Sequence, residues 1–347
     1  YTLSTGLYIG APNVTISGES GNRESVIIEG DAMSSTASVG NVITVAADFF
    51  TLENVTLQKS KYHLIQIKGE SDADSPTLRN CILRDSYEQL VKVSANVDDT
   101  SVASDNGLVE GCHFEYTAGI GPQYYIGGID AHAARNWVVR RNSFKYIVSP
   151  GGSIAEYAIH FWNDSADNLV EQNLIIDCDR GIGFGLNSRG NSRGIIRNNM
   201  IYHVANKGQF ADVGIAIHNS SDTQVDNNTI FMEHSYPSAI EYRFSGTSGA
   251  LIANNLSNKP IARIDGASGT EQAYITTASA DWFVNVSTGD LHLASEVGEV
   301  VGQGVAISGL SDDFDGDARA DQDKVDIGAD EYSTHVRPMP PEALEAT

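Results

Sequence analysis

The chain has 347 residues, 41% of them hydrophobic, with 45 acidic against 22 basic side chains and a formal net charge of −23. That balance excludes a nucleic-acid partner as an expectation, because phosphate binding needs a dominant basic surface. No apolar run approaches the roughly 18 residues of a membrane-spanning helix, so no membrane partner is expected.

The start at Tyr1 rather than Met reads as a processed form, and a secreted or periplasmic location is the expectation. Three cysteines, Cys81, Cys112 and Cys178, make no disulfide framework by count, and buried thiols are expected.

From the N-terminus, short β-branched runs begin in "LYIGAPNVTISG". From Leu52 onward one phrase recurs: "LENVTL", "LRNCIL", "VEGCHF", "VRRNSF", "VEQNLI", "IRNNMI", "VDNNTI", "IANNLS". The phrases start at Leu52, Leu78, Val109, Val139, Val170, Ile196, Val225 and Ile252, a period that signals a solenoid. Three residues into each lies the column Val55, Cys81, Cys112, Asn142, Asn173, Asn199, Asn228, Asn255. Stacked asparagines can ladder amide hydrogen bonds between equivalent turns.

Upstream of most phrases sits a second run: "NVITVAA", "HLIQIKG", "QLVKVSA", "GGIDAHA", "YAIHFWN", "GIGFGLN", "VGIAIHN", "SAIEYRF". Short strands bounded by Gly, Asn, Asp and Ser, without crossover helices, predict an all-β fold. The expected architecture is a single-stranded right-handed parallel β-helix, a solenoid, over residues 1–260. Residues 261–347 are expected to form terminal rungs, a C-terminal cap and a tail, since terminal solenoid units must cover an open core end.

Strand alternation then assigns directions. Apolar pairs such as Ile65/Ile67, Val91/Val93, Ile159/Phe161 and Ile215/Ile217 point inward. Two outward columns follow: Gln66, Lys92, Asp130, His160, Gly183, Ala216, Glu241, and Lys68, Ser94, His132, Trp162, Gly185, His218, Arg243. With rungs roughly 4.8 Å apart, Lys92, Asp130, His132, His160 and Trp162 should form one patch about a sugar ring across. Gly183 and Gly185 would leave a flat floor beside it, and Gln66, Arg180, His218, Glu241 and Arg243 would line the rest of a groove for a polymer.

Two histidines, a lysine and a carboxylate at such range tune one another's proton affinities. Glycoside hydrolysis normally needs a carboxylic pair, and the patch shows one outward carboxylate, although Glu88, Glu156 or Asp179 could supply another from loops. Removal of the proton α to a uronate carboxylate suits the set better, because the resulting anion needs positive charge beside it. Lys92 would neutralise the substrate carboxylate and His132 or His160 would take the C5 proton. Asp130 would orient a histidine, Tyr125 or Tyr124 would protonate the leaving oxygen, and Trp162 would stack on a sugar. Departure of the leaving group gives β-elimination; return of the proton from the other face gives C5 epimerisation.

The outward Asp-x-His, with Lys one rung before and His one rung after, resembles the alginate (mannuronan) C5-epimerases. It is also similar to the wider pectate-lyase-like class of β-helix polysaccharide lyases. The epimerase motif Tyr-Gly-Phe-Asp-Pro-His is met by Gly127-Gly128-Ile129-Asp130-Ala131-His132. The resemblance implies catalytic roles for Lys92, Asp130, His132 and His160. Gly127 replaces the motif's tyrosine and Ile159 the arginine before the later histidine, so Tyr124 or Tyr125 would have to bring the phenol from a loop.

The expected activity is β-elimination on an acidic, alginate-like polysaccharide by a monomer without cofactor. An epimerase, a glycoside hydrolase and a non-catalytic glycan-binding solenoid are the alternatives. Near the end, "DFDGDARADQDKVDIGADEY" resembles a terminal segment of secreted bacterial β-helix proteins. Its Asp313, Asp315, Asp317 and Asp321 have spacing suited to a structural Ca²⁺.

Overall fold

The computed structural model describes residues 1–96, 99–319 and 324–333. Each turn of the chain contributes up to three short strands, and equivalent strands of successive turns pair in parallel into sheets of ten, ten and nine strands. The first sheet holds Val91–Ser94, Ile129–His132, Ile159–Trp162 and Ile182–Phe184 as consecutive neighbours. The second and third hold the two halves of the recurring phrase, such as Leu169–Glu171 and Leu174–Ile176. Among the described residues there is no α-helix, only three short 3₁₀ turns, and no helix long and apolar enough to cross a membrane.

The phrase encodes a corner. Its third residue adopts a left-handed conformation in every turn: Asn54, Asn80, Gly111, Arg141, Gln172, Asn198, Asn227 and Asn254 have φ between 49° and 64°. Asn and Gly enter this region readily, whereas other L-residues do so at roughly 1–2 kcal/mol. Arg141 and Gln172 offset that cost with contacts, for Arg141 Nε donates to Gln172 Oε1 at 3.1 Å and Gln172 Nε2 donates to the Asp313 carbonyl at 2.6 Å.

The corner turns the next residue inward, into the expected ladder. Asn142 Nδ2 donates to Asn173 Oδ1, Asn173 to Asn199, Asn199 to Asn228 and Asn228 to Asn255, at 2.9–3.0 Å. Each carbonyl oxygen also accepts the backbone N–H of the preceding asparagine. The column extends into the cysteines, where Asn142 Oδ1 accepts from Cys112 N at 2.8 Å and Cys112 Sγ from Cys81 N at 3.4 Å. All three cysteines are free and buried.

One apolar core runs inside the three sheets from Ile28 to Ala267, including Trp137 and the stacked pair Phe114 and Phe144 at 4.4 Å. Strands continue beyond residue 260, at Ile261–Ile264 and Gly269–Gln272. A second cluster, with Phe283, Leu291, Val300 and Ile327, packs on Leu174, Met200, Tyr202 and Phe231 of the third sheet. The cap therefore lies along the outside of the solenoid.

Candidate active site on the first sheet

Parallel pairing without register shift puts Gln66, Lys92, Asp130, His160, Gly183, Ala216 and Glu241 at the same level of successive strands. His132 is level with Trp162, and His218 with Arg243. Lys92, Asp130, His132 and Trp162 come together in one network. Lys92 Nζ donates to Asp130 Oδ2 and also lies 2.8 Å from His132 Nε2. Trp162 Nε1 donates to Asp130 Oδ1 at 2.7 Å, and its indole packs 4.4 Å from the His132 ring.

Because an ammonium only donates, His132 Nε2 must accept from Lys92, so His132 is neutral with its proton on Nδ1. Burial pushes the His132 imidazole down to about 4, Lys92 and Arg189 push the same way, and Asp130 opposes them. Burial would raise the Asp130 carboxyl, but Lys92, His160 and His132 outweigh it and hold the group at about 2. The centre is thus an ionised carboxylate, a lysine ammonium and a neutral imidazole whose lone pair the ammonium covers.

His160 departs from expectation. It faces outward in register with Asp130, yet none of its surface is exposed. Its ring lies between Trp162, stacked at 5.2 Å, and Tyr157 at 4.7 Å. Nε2 lies 3.3 Å from the Gly185 carbonyl, to which it donates. Nδ1 then turns its lone pair toward Asp130 Oδ1 at 3.9 Å and Glu156 Oε2 at 3.7 Å. Burial lowers His160 to about 3. Covered on both faces, His160 presents no surface to a polymer.

The flat glycine floor is also corrected. A Cβ on Gly183 would lie 2.8 Å from the Tyr157 ring, so the missing side chain is the socket for that tyrosine. Tyr157, Val213 and Ala216 bury together on the outer face with Tyr236 beside them. Glu241 is only 4% exposed and accepts from Tyr236 Oη at 2.8 Å, while Arg243 is paired with Asp265 at 2.8 Å. His218 is buried against Phe244 at 5.4 Å. Glu241 and His218 are buried and do not line an open groove as expected, whereas Arg243 keeps 33% of its side chain exposed; a wall of tyrosines closes the site on the Gly183 side.

Arg180 belongs to that wall, 5.0 Å over Tyr157, with Nε 3.3 Å from Asp212 Oδ2 and Nη1 4.0 Å from Glu156 Oε2. On the other side Gln66 accepts from Asn41 Nδ2 at 2.7 Å and donates to Ser94 Oγ at 3.4 Å, one rung before Lys92. Tyr124 and Tyr125 are exposed on the preceding loop. Among the described residues no hydrogen bond joins the Tyr125 phenol to Lys92, Asp130 or His132, so the expected proton donor is not assembled. An open depression of about 520 Å³, lined by Arg23, Asn80 and Glu110, lies at the corner of the second and third sheets, away from this network.

Sequence reasoning missed Tyr157, Tyr236 and Arg189. Strict alternation would turn Tyr157 inward, but the strand begins at Ile159 and the tyrosine crosses the outer face. A glycine level with His160 was the available signal, since a strand glycine often marks close approach of another group. Arg189, whose guanidinium lies 5.3 Å over Trp162, follows the left-handed Gly185 in a tight return and carried no signal. At the C-terminus, both Asp313 oxygens accept backbone N–H groups, from Asp315 and Asp317 on one and Glu331 on the other. Asp321 lies outside the described residues.

The fold has solved counterparts. Pectate lyase Pel9A matches with a TM-score of 0.54 at 14% identity, covering 96% of this chain and 86% of that one, which shows the shared fold. A glycoside hydrolase matches at 12% identity over 69% of this chain and 39% of its own, with a TM-score of 0.45. The Dettilon tailspike protein matches at 14% identity over 76% and 60%, with a TM-score of 0.44. No curated protein matches the sequence. Residues 24–231 match the family described as a right handed beta helix region. With that match over more than half of its length, the chain belongs to the right-handed β-helix family, as the recurring phrase and its parallel sheets require.

Proposed function

We propose that this protein is a carbohydrate-active enzyme that cleaves a uronic-acid polysaccharide of the alginate type by β-elimination, with His132 as the base. The single observation that carries the reading is the contact of Lys92 Nζ with His132 Nε2, 2.8 Å apart, beside the ionised Asp130. A neutral imidazole is a competent base, and its covering ammonium is the cation that a substrate carboxylate would seek.

A uronate entering over Trp162 pairs its carboxylate with Lys92 and Arg189 and draws the ammonium from the imidazole. The freed Nε2 takes the C5 proton; the C5–H electron pair moves into the carboxylate, whose added charge Lys92 neutralises. That pair then forms the C4–C5 double bond as the C4–O bond breaks, and the leaving oxygen takes a proton from water. Asp130 holds Lys92 and, through Trp162 Nε1, the indole. Return of a proton to C5 instead of C4–O cleavage gives the epimerase outcome.

One observation favours hydrolysis as the second reading. Burial and Asp130 raise Glu156 while Asp130 is held low, and such divergence is what separates an acid from a base in a carboxyl pair. Asp130 is only 2% exposed, however, so it is poorly placed to meet a sugar or activate water. Incubation with uronate and neutral polymers decides among the three. An unsaturated-uronate absorbance supports elimination, solvent deuterium at C5 without cleavage supports epimerisation, and new reducing ends without absorbance support hydrolysis. Binding without any of them leaves a glycan-binding solenoid.

A further inference from the structure

The cap carries a second chemical cluster, remote from the first sheet and independent of the function proposed above. His292 lies on Asp290–Leu293, which pairs antiparallel with Phe283–Asn285. Its Nδ1 is 2.6 Å from Asp290 Oδ1. Its Nε2 is 3.0 Å from Asp315 Oδ2, in the turn after Leu310. Asp330, from the terminal segment, completes a set in which one ligand atom from each of His292, Asp315 and Asp330 lies within 4.8 Å of the others. We propose that His292, Asp315 and Asp330 bind a divalent first-row transition cation of the zinc class, which fastens the cap to itself.

Three features carry this beyond a gathering of acids. First, His292 is 4% exposed, and both its Nε2 and Asp315 Oδ2 are sealed from solvent without a hydrogen bond, although they are only 3.0 Å apart. Two ligands held about 2.1 Å from one tetrahedral ion stand about 3.4 Å apart, so the pair is within a few tenths of an ångström of a ligating separation.

Second, Nδ1 is held by Asp290, the carboxylate–histidine arrangement that orients metal-bound imidazoles, and because the surrounding carboxylates push His292 up to about 10, an entering cation takes the place of the Nε2 proton. Third, the remaining ligands are fixed from behind. Asp330 Oδ2 accepts the Leu293 N–H at 2.8 Å, and the Asp315 N–H donates to Asp313 Oδ1 at 3.0 Å.

The donor set selects the ion. Once the cation has displaced the Nε2 proton, the imidazole and two carboxylates supply two negative charges, which a divalent cation neutralises. Nitrogen ligation suits zinc, manganese or cobalt, whereas calcium and magnesium prefer all-oxygen shells. Asp313, its oxygens engaged by backbone N–H groups, shapes the turn, and with Asp315 and Asp317 it forms a neighbouring all-oxygen group of the kind calcium takes. The ion would join the hairpin, the Asp313–Asp317 turn and the terminal segment at one point, beside the cap's apolar cluster.

The test uses the full chain, stripped by a chelator and dialysed, then titrated with zinc chloride alone and separately with calcium chloride. One equivalent of zinc is expected, with a rise in unfolding temperature that chelator reverses. Zinc affinity should fall about tenfold or more in His292→Gln, Asp330→Asn and the partly exposed Asp315→Asn. Should a buried-site variant not fold, Asp315→Asn and the visible absorption of cobalt bound to the unaltered chain provide the same readout. The inference is overturned if zinc, manganese and cobalt all fail to bind stoichiometrically. It is equally overturned by affinity undiminished in Asp315→Asn, or by calcium binding more tightly than zinc.

Discussion

The Lys92 ammonium lies 2.8 Å from His132 Nε2 while also donating to the buried carboxylate of Asp130. The same cation thus neutralises the acid of the site and covers its base. Lys92→Met should leave a base without charge neutralisation and lower kcat/KM by about 10³-fold or more, and His132→Gln should do likewise, as expected when donors aimed at developing charge or the base itself are lost. Steady-state kinetics on uronate polymers checks both. Activity within about tenfold of the unaltered chain in either variant would remove that residue from the chemistry.

The pH profile follows from His132, whose neutral form is the working one. With the imidazole pushed down to about 4 by burial and Lys92, kcat/KM should stay level from neutrality to near pH 5 and fall as pH drops through about 4. Bound substrate draws Lys92 away and removes one of the causes of that depression. The acid limb of kcat should therefore lie at higher pH than that of kcat/KM. Coincident limbs, or a kcat limb at lower pH, would contradict the displacement of Lys92.

The asparagine ladder makes a stability prediction. Asn199 donates to the Val170 and Arg197 carbonyls and to Asn228 Oδ1, and accepts from both the backbone and side chain of Asn173. Asn199→Ala strands the buried Asn173 N–H and should cost roughly 2–4 kcal/mol, since an unsatisfied buried donor loses its full solvation. Chemical denaturation at constant m-value measures it, and a loss under about 0.5 kcal/mol would show that the amides contribute little.

Asp226 gives a change of the opposite kind. It is fully buried and neither carboxyl oxygen has a hydrogen bond. Burial raises it to about 7 although Arg197 opposes. A carboxyl raised in the folded state contributes its stability below the ordinary value near 4 and loses it as pH rises through about 7. Asp226→Asn should thus match the unaltered chain near pH 4 and exceed it by roughly 1–4 kcal/mol at pH 8. Thermal unfolding at the two pH values reads the difference, and equal differences at both would contradict the shift.

Most of the solenoid was legible because two of its periodicities are local. The phrase fixes a left-handed corner followed by an inward amide, and alternation in strands such as Ile65–Lys68 sorts inside from outside within four residues. Register then needs no further information, because a uniform parallel stack keeps Lys92, Asp130 and His160 level. Coverage of the outer face was not legible. Tyr157, at the start of its run but before the strand begins at Ile159, and Tyr236, ahead of its run, reach it from irregular backbone, so they buried His160 and Glu241 without disturbing the pattern that pointed both outward. The position of Tyr125, exposed and not joined to the network, was not legible for a related reason, since proximity along the chain to Asp130 says nothing about where a loop side chain lies.

The central claim is that His132 removes the C5 proton of a uronate while Lys92 takes the charge. Its most direct test is the ultraviolet absorbance of unsaturated uronate, followed as the unaltered chain, Lys92→Met and His132→Gln act on alginate and related polymers. The account predicts rising absorbance with the unaltered chain and a loss of about 10³-fold or more in each variant. New reducing ends from the unaltered chain without absorbance, or undiminished absorbance with His132→Gln, would contradict it.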